Sequence, residues 1–312
     1  MSDIFFDEMH IPTPDYQLGI SGGTHANMTA KMMTGIEEIL IKENPNLLMV
    51  YGDTNSTLAG SLAAAKLHIN IAHVEAGLRS FNNAMPEEIN RILTDRVSKL
   101  LFCPTQVAID NLLSEGLEKW DSQAFLVGDV MQDGALYYAD YARRPKEISE
   151  DNKFVLATIH RAENTDNRTH LKEIFEALND LSESIEVIIP LHPRTKQKLT
   201  DLEIHHSENL KFIDPTGYLE MIWLIKNCEI VMTDSGGLQK EAFFFHKPCI
   251  TMREETEWTE LVTNNYNVLV GANKDKIITA YHDHIFSDNF DQNLYGSGSA
   301  SSNIVKEIIR AS

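Results

Sequence analysis

The chain has 312 residues, of which 43% are hydrophobic, and its formal net charge at pH 7 is −19. This length predicts two domains, because a single hydrophobic core rarely grows much beyond about 250 residues. The negative charge argues against a nucleic-acid partner, whose phosphates an acidic surface repels. No apolar run approaches the roughly 18 residues that a membrane-spanning helix needs, and the first residues lack the pattern of a signal peptide. We therefore expect no membrane association.

The three cysteines, Cys103, Cys228 and Cys249, lie in or beside apolar segments without a CxxC spacing. This is typical of reduced core residues, and we expect a cytoplasmic protein.

The order of the predicted elements is that of an α/β protein. Residues 1–18 form a short amphipathic piece and a proline-containing loop with no strand, and residues 24–44 have the apolar spacing of a helix that Pro45 ends. The first half then alternates strands at 47–51, 70–74, 100–103 and 124–127 with helices at 54–68, 86–97, 105–115 and 130–142. Continuous apolar strands between helices indicate a parallel sheet covered on both faces.

The second half repeats this alternation. Strands are predicted at 154–159, 186–191, 210–213, 230–233, 248–252 and 267–270. Helices are predicted at 169–181, after Pro193, and at 218–226, 237–245, 257–264 and 275–285. We therefore expect two Rossmann-like domains, residues 1–145 and 146–295, divided at the polar segment that begins at Arg143. A last helix within residues 296–312 is expected to cross back to the first domain.

A strand-loop-helix segment at residues 229–241 stands out in the second half. Its apolar strand ends at Thr-Asp-Ser, two glycines follow, and a helical pattern continues. The Ser235 hydroxyl, the backbone N–H groups freed by Gly236 and Gly237, and the positive end of the helix dipole would suit a phosphate. Glu241, one turn later, would accept hydrogen bonds from a ribose diol. Short glycine motifs are weak signals, and an ordinary βα turn with a serine N-cap is the alternative interpretation.

Polar residues follow the strands throughout the chain. They are Asp53, Glu75, Thr105, Asp129, His160, His192, Asp214 and Ser235. Each has an ordinary interpretation alone, as a helix cap or as a satisfied histidine. Together they predict an active site, because ligands of open α/β sheets bind outside the carboxyl ends of the strands.

Acid–base chemistry is the reaction type that these residues favour. Asp53, Glu75 and Glu87 offer three carboxylates near one cleft, and crowded carboxylates do not all ionise together, so one can act as an acid and another as a base. Glu87 and Arg91 are four residues apart on one helix face, a spacing that a simple surface ion pair also explains. The sequence has no metal-ligand spacing, no GxxxxGK[ST] and no GxGxxG, so we expect no metal and no cofactor.

Five motifs, in this order, resemble those of the non-hydrolysing UDP-N-acetylglucosamine 2-epimerase family. They are GDT at 52–54, HVEAGLR at 73–79, PEEINR at 86–91, HRAEN at 160–164 and TDSGGLQKE at 233–241. The resemblance covers essentially the whole chain. It implies a GT-B-like fold of two Rossmann domains, usually as a homodimer. It also implies a reaction that inverts C2 of a UDP-linked 2-acetamido sugar, by elimination of UDP to a 2-acetamidoglycal and re-addition of UDP.

The resemblance also implies which residues act. The catalytic set comprises three acid–base carboxylates and two residues that assist at the diphosphate and the leaving group: Asp53, Glu75, Glu87, Arg91 and His160. The UDP-sugar-binding set contributes to the phosphate and ribose contacts: Arg79, His192, Ser235, Gly236, Gly237 and Glu241.

Four further segments, 80–82, 190–195, 214–219 and 255–258, look most similar to the bacterial branch that acts on UDP-2,3-diacetamido-2,3-dideoxyglucuronate. They also resemble archaeal enzymes that act on UDP-N-acetylglucosamine. Trp258 stands where many bacterial UDP-N-acetylglucosamine enzymes have arginine, and Ala162 where they have a second arginine. The diacetamido-uronate is the favoured substrate, and its product would enter surface polysaccharide, O-antigen or capsule. A GT-B glycosyltransferase and a UDP-sugar-binding protein that has lost catalysis remain alternatives.

The family normally begins with a strand, a Gly-x-Arg-Pro loop, a helix, a second strand and a Gly-Gln-His loop, none of which is in this sequence. Met1 aligns roughly fifty residues into the family pattern, so the first domain is expected to lack its opening strand, whose neighbours would then expose backbone groups and apolar faces. We therefore predict that the chain as written folds poorly in its first half and has weak activity or none.

Overall fold

The computed structural model describes residues 8–149, 152–191, 195, 198–199, 207–290 and 293–311. Two compact units make up the chain. The amino-terminal unit consists of Thr13–Asp133 and Gln292–Ser312, and the carboxy-terminal unit consists of Met1–Pro12 and Gly134–Asp291. Most of the helix predicted after Pro193 falls outside the described residues.

The strands match the predicted alternation closely. They are β1 Leu47–Tyr51, β2 Asn70–Val74, β3 Leu100–Cys103, β4 Gln123–Leu126, β5 Phe154–Thr158, β6 Glu186–Pro190, β7 Leu210–Ile213, β8 Ile230–Thr233, β9 Cys249–Thr251 and β10 Asn267–Leu269. Within residues 8–46, which precede β1, no strand occurs.

The described helices alternate with these strands. They are α1 His25–Glu43, α2 Asn55–Lys66, α3 Pro86–Val97, α4 Gln106–Ser114, α5 Val130–Tyr138, α6 Ala162–Thr165, α7 Arg168–Leu181, α8 Tyr218–Asn227, α9 Gly236–Phe244, α10 Thr259–Thr263, α11 Lys274–Asp283 and α12 Ala300–Ala311. None of these helices is both long and apolar enough to cross a bilayer. Two short 3-10 turns, Leu117–Lys119 and Ala139–Tyr141, follow α4 and α5.

The amino-terminal unit contains a four-stranded parallel sheet in the order β1-β2-β3-β4. Successive strand residues point to opposite faces, so β2 buries Ile71 with Leu40 of α1 on one side. On the other side Val74 packs with Phe102 and with Ile304 of α12. The sheet is therefore covered on both faces, as its continuous apolar strands require.

The carboxy-terminal unit contains a six-stranded parallel sheet in the order β10-β9-β8-β5-β6-β7. Helix α7 packs its apolar face, which includes Leu171, Ile174 and Leu178, into one large core. The order of the strands reverses between β5 and β8, and ligands of such sheets bind outside the carboxyl ends of the strands at that point. The α/β class with two parallel sheets is confirmed.

Candidate active site

The loop after β1 is tied to α3 by a hydrogen-bonded network around Asp53. Arg91 donates from Nε and Nη2 to Asp53 Oδ2, at 3.0 and 2.7 Å. Asn90 donates from Nδ2 to the backbone oxygen of Asp53 at 2.8 Å. The Arg91 side chain is 5% exposed, whereas that of Asp53 is 30% exposed. Arg91 therefore orients a carboxylate that still reaches solvent.

Glu88 is a buried carboxylate that the sequence reasoning did not assign. It accepts hydrogen bonds from the backbone N–H groups of Ser80 and Phe81, at 3.0 and 2.9 Å, and from Arg91 Nη1 at 2.9 Å. It therefore joins the loop that follows β2 to the arginine that holds Asp53. In the sequence, only its spacing of three residues from Arg91 indicates this ion pair. Glu87 is four residues from Arg91, which is an equally favourable spacing, so the sequence does not distinguish the two glutamates.

Glu75 follows β2 with a positive φ of 69°, a conformation that costs a residue with a side chain about 1–2 kcal/mol. A Cβ placed on Gly52 would lie 3.4 Å from Glu75 Oε2. Tyr51 pairs with Val74 across β1 and β2. The Glu75 carboxylate consequently lies beside the glycine that precedes Asp53, so the structure brings these two predicted residues into adjoining loops.

Glu87, the third predicted carboxylate, is exposed in the first turn of α3, four residues before Arg91. This position gives it access to solvent one helical turn from the Asp53 network.

Asp95 of α3 supports these loops from inside the unit. It is fully buried and accepts from His73 Nδ1 at 2.7 Å, from the Gly77 N–H at 3.2 Å and from Arg79 Nη1 at 2.8 Å. The other ring nitrogen of His73 lies 2.8 Å from the oxygen of Gly52, so both ring nitrogens face oxygen atoms. Burial alone would raise the pKa of Asp95, but the charge and hydrogen bonds of His73 and Arg79 outweigh it and hold that pKa below its ordinary value.

Arg79, a predicted substrate-binding residue, has a side chain that is only 1% exposed. It donates to both carboxylate oxygens of Glu115, at 2.6 and 2.9 Å, to Asp95, and to the backbone oxygen of Leu78 at 2.7 Å. Burial alone lowers the pKa of Arg79, but the bond to Glu115 and the charge of Asp95 outweigh it and raise that pKa. Through these contacts Arg79 joins the loop after β2 to Asp95 and Glu115. Substrate binding by Arg79 stays a prediction.

In the carboxy-terminal unit, the loops after β5 and β8 lie side by side because Thr158 pairs with Thr233. The fully buried Asp234 accepts from the backbone N–H of His160 at 2.9 Å and of Arg161 at 3.1 Å, and from Asn164 Nδ2 at 3.0 Å. This carboxylate fixes the loop that carries His160, which is exposed. His192 lies outside the described residues.

Ser235 is the N-cap of α9, as its sequence position predicts. Its hydroxyl accepts from the Leu238 N–H at 3.4 Å, and its own N–H donates to Thr233 Oγ1 at 3.0 Å. The first turn of α9, with Gly236 and Gly237, thus begins at the carboxyl end of β8. Its dipole favours an anion at that edge of the sheet.

The structure adds a packing reason for the glycine at position 236. A Cβ on Gly236 would lie 2.4 Å from Glu257 Oε1. The Glu257 carboxylate is held by Arg253 Nη1 at 3.2 Å, and Trp258 Nε1 donates to the Gly236 oxygen at 2.9 Å. The segment after β9 therefore packs directly on the first turn of α9.

Glu241 is 7% exposed and accepts a hydrogen bond from Tyr218, a contact that the sequence did not suggest. Burial, followed by the charge of Glu241 and its hydrogen bond, raises the pKa of Tyr218. Binding of a ribose by Glu241 stays a prediction. Among the residues that the structure describes, no group of three or more His, Cys, Asp or Glu side chains is arranged to hold a metal ion.

Comparison with known proteins places these features in context. The sequence model of a family described as UDP-N-acetylglucosamine 2-epimerase matches residues 1–309. A similar curated protein is the UDP-2,3-diacetamido-2,3-dideoxy-D-glucuronate 2-epimerase of Pseudomonas aeruginosa, 55% identical over 99% of this chain and 88% of the relative. The UDP-N-acetylglucosamine 2-epimerase homolog of Methanococcus maripaludis is 48% identical, over 99% of this chain and 88% of its own length.

The fold resembles a crystal structure of the UDP-GlcNAc 2-epimerase of Methanocaldococcus jannaschii in complex with UDP-GlcNAc and UDP. The TM-score is 0.87 at 42% identity, over 99% of this chain and 88% of that chain.

Proposed function

Because the chain belongs to the UDP-N-acetylglucosamine 2-epimerase family, we propose that it is an isomerase that inverts C2 of a UDP-linked 2-acetamido sugar. The observation that carries this proposal is the pair of adjoining loops in which Glu75 lies beside Gly52 and Arg91 orients Asp53. Inversion at carbon needs a base and an acid, and carboxylates in adjoining loops supply both roles.

In the proposed reaction one carboxylate removes the C2 proton while the C1–O bond to UDP breaks, which leaves a 2-acetamidoglycal with a double bond between C1 and C2. UDP then adds back to C1, and a proton is delivered to the opposite face of C2. Proton transfer by a positioned side chain contributes about 10²–10⁴ in rate. We assign these transfers to Asp53, Glu75 and Glu87, whereas Arg91 keeps Asp53 in place.

The carboxy-terminal unit supplies the proposed nucleotide contacts. The first turn of α9, with Ser235, Gly236 and Gly237, suits the diphosphate, because freed N–H groups and the helix dipole favour an anion there. Glu241 is assigned to the ribose, and His160 assists at the leaving UDP.

We propose UDP-2,3-diacetamido-2,3-dideoxyglucuronate as the substrate and surface polysaccharide as the destination of its product. The name of the Pseudomonas relative and the resemblance of segments 80–82 and 255–258 support this choice. UDP-N-acetylglucosamine is the second candidate, which the name of the archaeal relative supports.

Incubation with each UDP-sugar in D₂O, followed by proton NMR, tests the proposal. We expect one sugar to lose its C2 proton signal as its epimer appears. Sugar transfer to an acceptor without deuterium at C2 would identify a glycosyltransferase. Binding of UDP with no exchange on either sugar would identify a binding protein and overturn the proposal.

The roles of the carboxylates can be separated by amide variants. Asp53→Asn, Glu75→Gln and Glu87→Gln should each slow exchange at C2 by about 10²–10⁴. Glu118→Gln, on the exposed surface of the same unit, is the control and should leave the rate unchanged. A variant that exchanges at the full rate is removed from the catalytic set.

We further propose a homodimer in the cytoplasm. Resemblance to the family supports the dimer, and three buried free thiols are typical of a reducing compartment. Light scattering should give twice the chain mass of 35.3 kDa. A single chain mass at micromolar concentration would contradict the dimer.

A further inference from the structure

A lysine without solvent exposure lies in α9, the helix whose first turn is the proposed phosphate site. Lys240 is 0% exposed, and it is among the largest fully buried side chains of the chain. Burial of an ammonium group is costly unless other groups compensate for the lost water. A buried lysine next to a proposed anion site therefore calls for a physical explanation.

The position of the ammonium group follows from its contacts. Lys240 Nζ lies 4.1 Å from the centroid of the Trp258 ring, which is a cation–π contact. The same indole donates from Nε1 to the oxygen of Gly236 at 2.9 Å, so it lies against the first turn of α9. Residue 240 is one helical turn after residue 236, and helical side chains tilt towards the amino terminus. The charge is thus held beside the first turn.

We propose that Lys240 is a positioning residue, and that its buried charge strengthens binding of the UDP diphosphate at the amino terminus of α9. The inference rests on the proposed function, since it assumes that this turn binds a diphosphate. A positive charge in a low-dielectric interior acts at longer range than one in water. It adds to the positive end of the helix dipole without contacting the ligand.

The Trp258 side chain makes two contacts in this arrangement. Its ring face stabilises the ammonium group of Lys240, and its indole N–H binds the backbone oxygen of Gly236. Thr256 also links this segment to α9. Its hydroxyl donates to Gln239 Oε1 at 2.8 Å, and the backbone N–H of Trp258 donates to Thr256 Oγ1 at 3.2 Å. The segment after β9 and α9 therefore hold the charge between them.

The test compares a charged ligand with an uncharged one. Calorimetry with UDP and with uridine is carried out on the wild-type chain, on Lys240→Met, which removes the charge but keeps the length, and on Lys240→Arg, which keeps the charge. We expect Lys240→Met to weaken UDP binding by about tenfold while uridine binding changes less than about twofold. Lys240→Arg should stay within about threefold of the wild type for both ligands.

An equal loss for UDP and uridine would identify Lys240 as a packing residue and overturn the proposal, as would unchanged binding of both. If Lys240→Met does not fold, Trp258→Leu removes the ring that holds the ammonium. This variant should also weaken UDP binding more than uridine binding, and an equal effect on both ligands would overturn the proposal. A wild-type chain that does not bind UDP would instead refute the proposed function itself.

Discussion

Substitution of Asp95 by asparagine is the sharpest test of how the amino-terminal unit is held together. The carboxylate is fully buried, and it accepts from the side chains of His73 and Arg79 and from the N–H of Gly77. Asparagine keeps the shape but removes the charge and presents an NH₂ group to donors. His73 and Arg79 then lose the carboxylate to which both donate.

The expected cost follows from the burial of both partners. The side chains of Asp95 and His73 are 0% exposed and that of Arg79 is 1% exposed. Removal of one partner from a buried ion pair costs about 3–5 kcal/mol. We expect about 3 kcal/mol here, because Arg79 keeps its second carboxylate partner, Glu115. At about 2–4 °C per kcal/mol for a domain of this size, the melting midpoint should fall by about 6–12 °C.

Thermal unfolding followed by circular dichroism measures this change. Asp121→Asn is the matched control, since Asp121 pairs with Lys99 at 2.6 Å but its side chain is 97% exposed. An exposed pair contributes little, so the control should shift the midpoint by less than about 3 °C. If Asp95→Asn melts as the control does, the buried network does not stabilise the unit and the reasoning is wrong.

Three other outcomes are expected. Because the pKa of Asp95 is lowered in the folded chain, its contribution to stability is full above the unfolded value of about 3.9 and is lost as pH falls through the native value. The melting midpoint of the wild type should therefore fall more steeply with decreasing pH than that of Asp95→Asn. Equal slopes of midpoint against pH would contradict this. Gly236→Ala should cost about 1 kcal/mol in urea unfolding, because the Glu257 carboxylate, 2.4 Å from the new methyl group, must move within its pair with Arg253. Gly134→Ala, whose methyl group meets nothing within 4 Å, should be neutral or more stable by up to about 1 kcal/mol. Glu88→Gln should lower turnover by about tenfold or more and leave UDP affinity unchanged, since Glu88 binds Arg91, which orients Asp53. Turnover equal to that of the wild type would show that Glu88 does not support Asp53.

Much of the fold could be predicted because buried parallel strands are mostly apolar segments that end at a polar residue, a glycine or a proline. The strand predictions at 47–51, 70–74, 100–103, 210–213 and 230–233 agree with the structure to the residue. Helix ends were less accurate. The helix predicted at 130–142 ends at Tyr138 and continues as a 3-10 turn, since nothing in the local apolar spacing distinguishes the two.

The candidate site was only partly predictable. Residues that directly follow strands, such as Asp53, Glu75 and Ser235, stand out because the carboxyl edge of a parallel sheet is where ligands bind. The carboxylates that support them, Glu88 and Asp95, look like surface residues of a helix. Apart from Arg91, their donors come from residues 73–81, and the spacing of residues in the sequence does not predict those contacts.

The sequence by itself determined the α/β alternation, the parallel sheets and the polar edge after the strands, because burial on both faces demands apolar runs and the periodicity of each element is local. Only the tertiary structure decided which charges are buried. Glu87 and Glu88 are neighbours of the same type, yet one is exposed and the other is 0% exposed. Lys240 is likewise buried, and its ammonium group lies over the ring of Trp258 from the segment after β9. Burial of a charge depends on the partners that packing brings to it, and the residue type alone does not specify those partners.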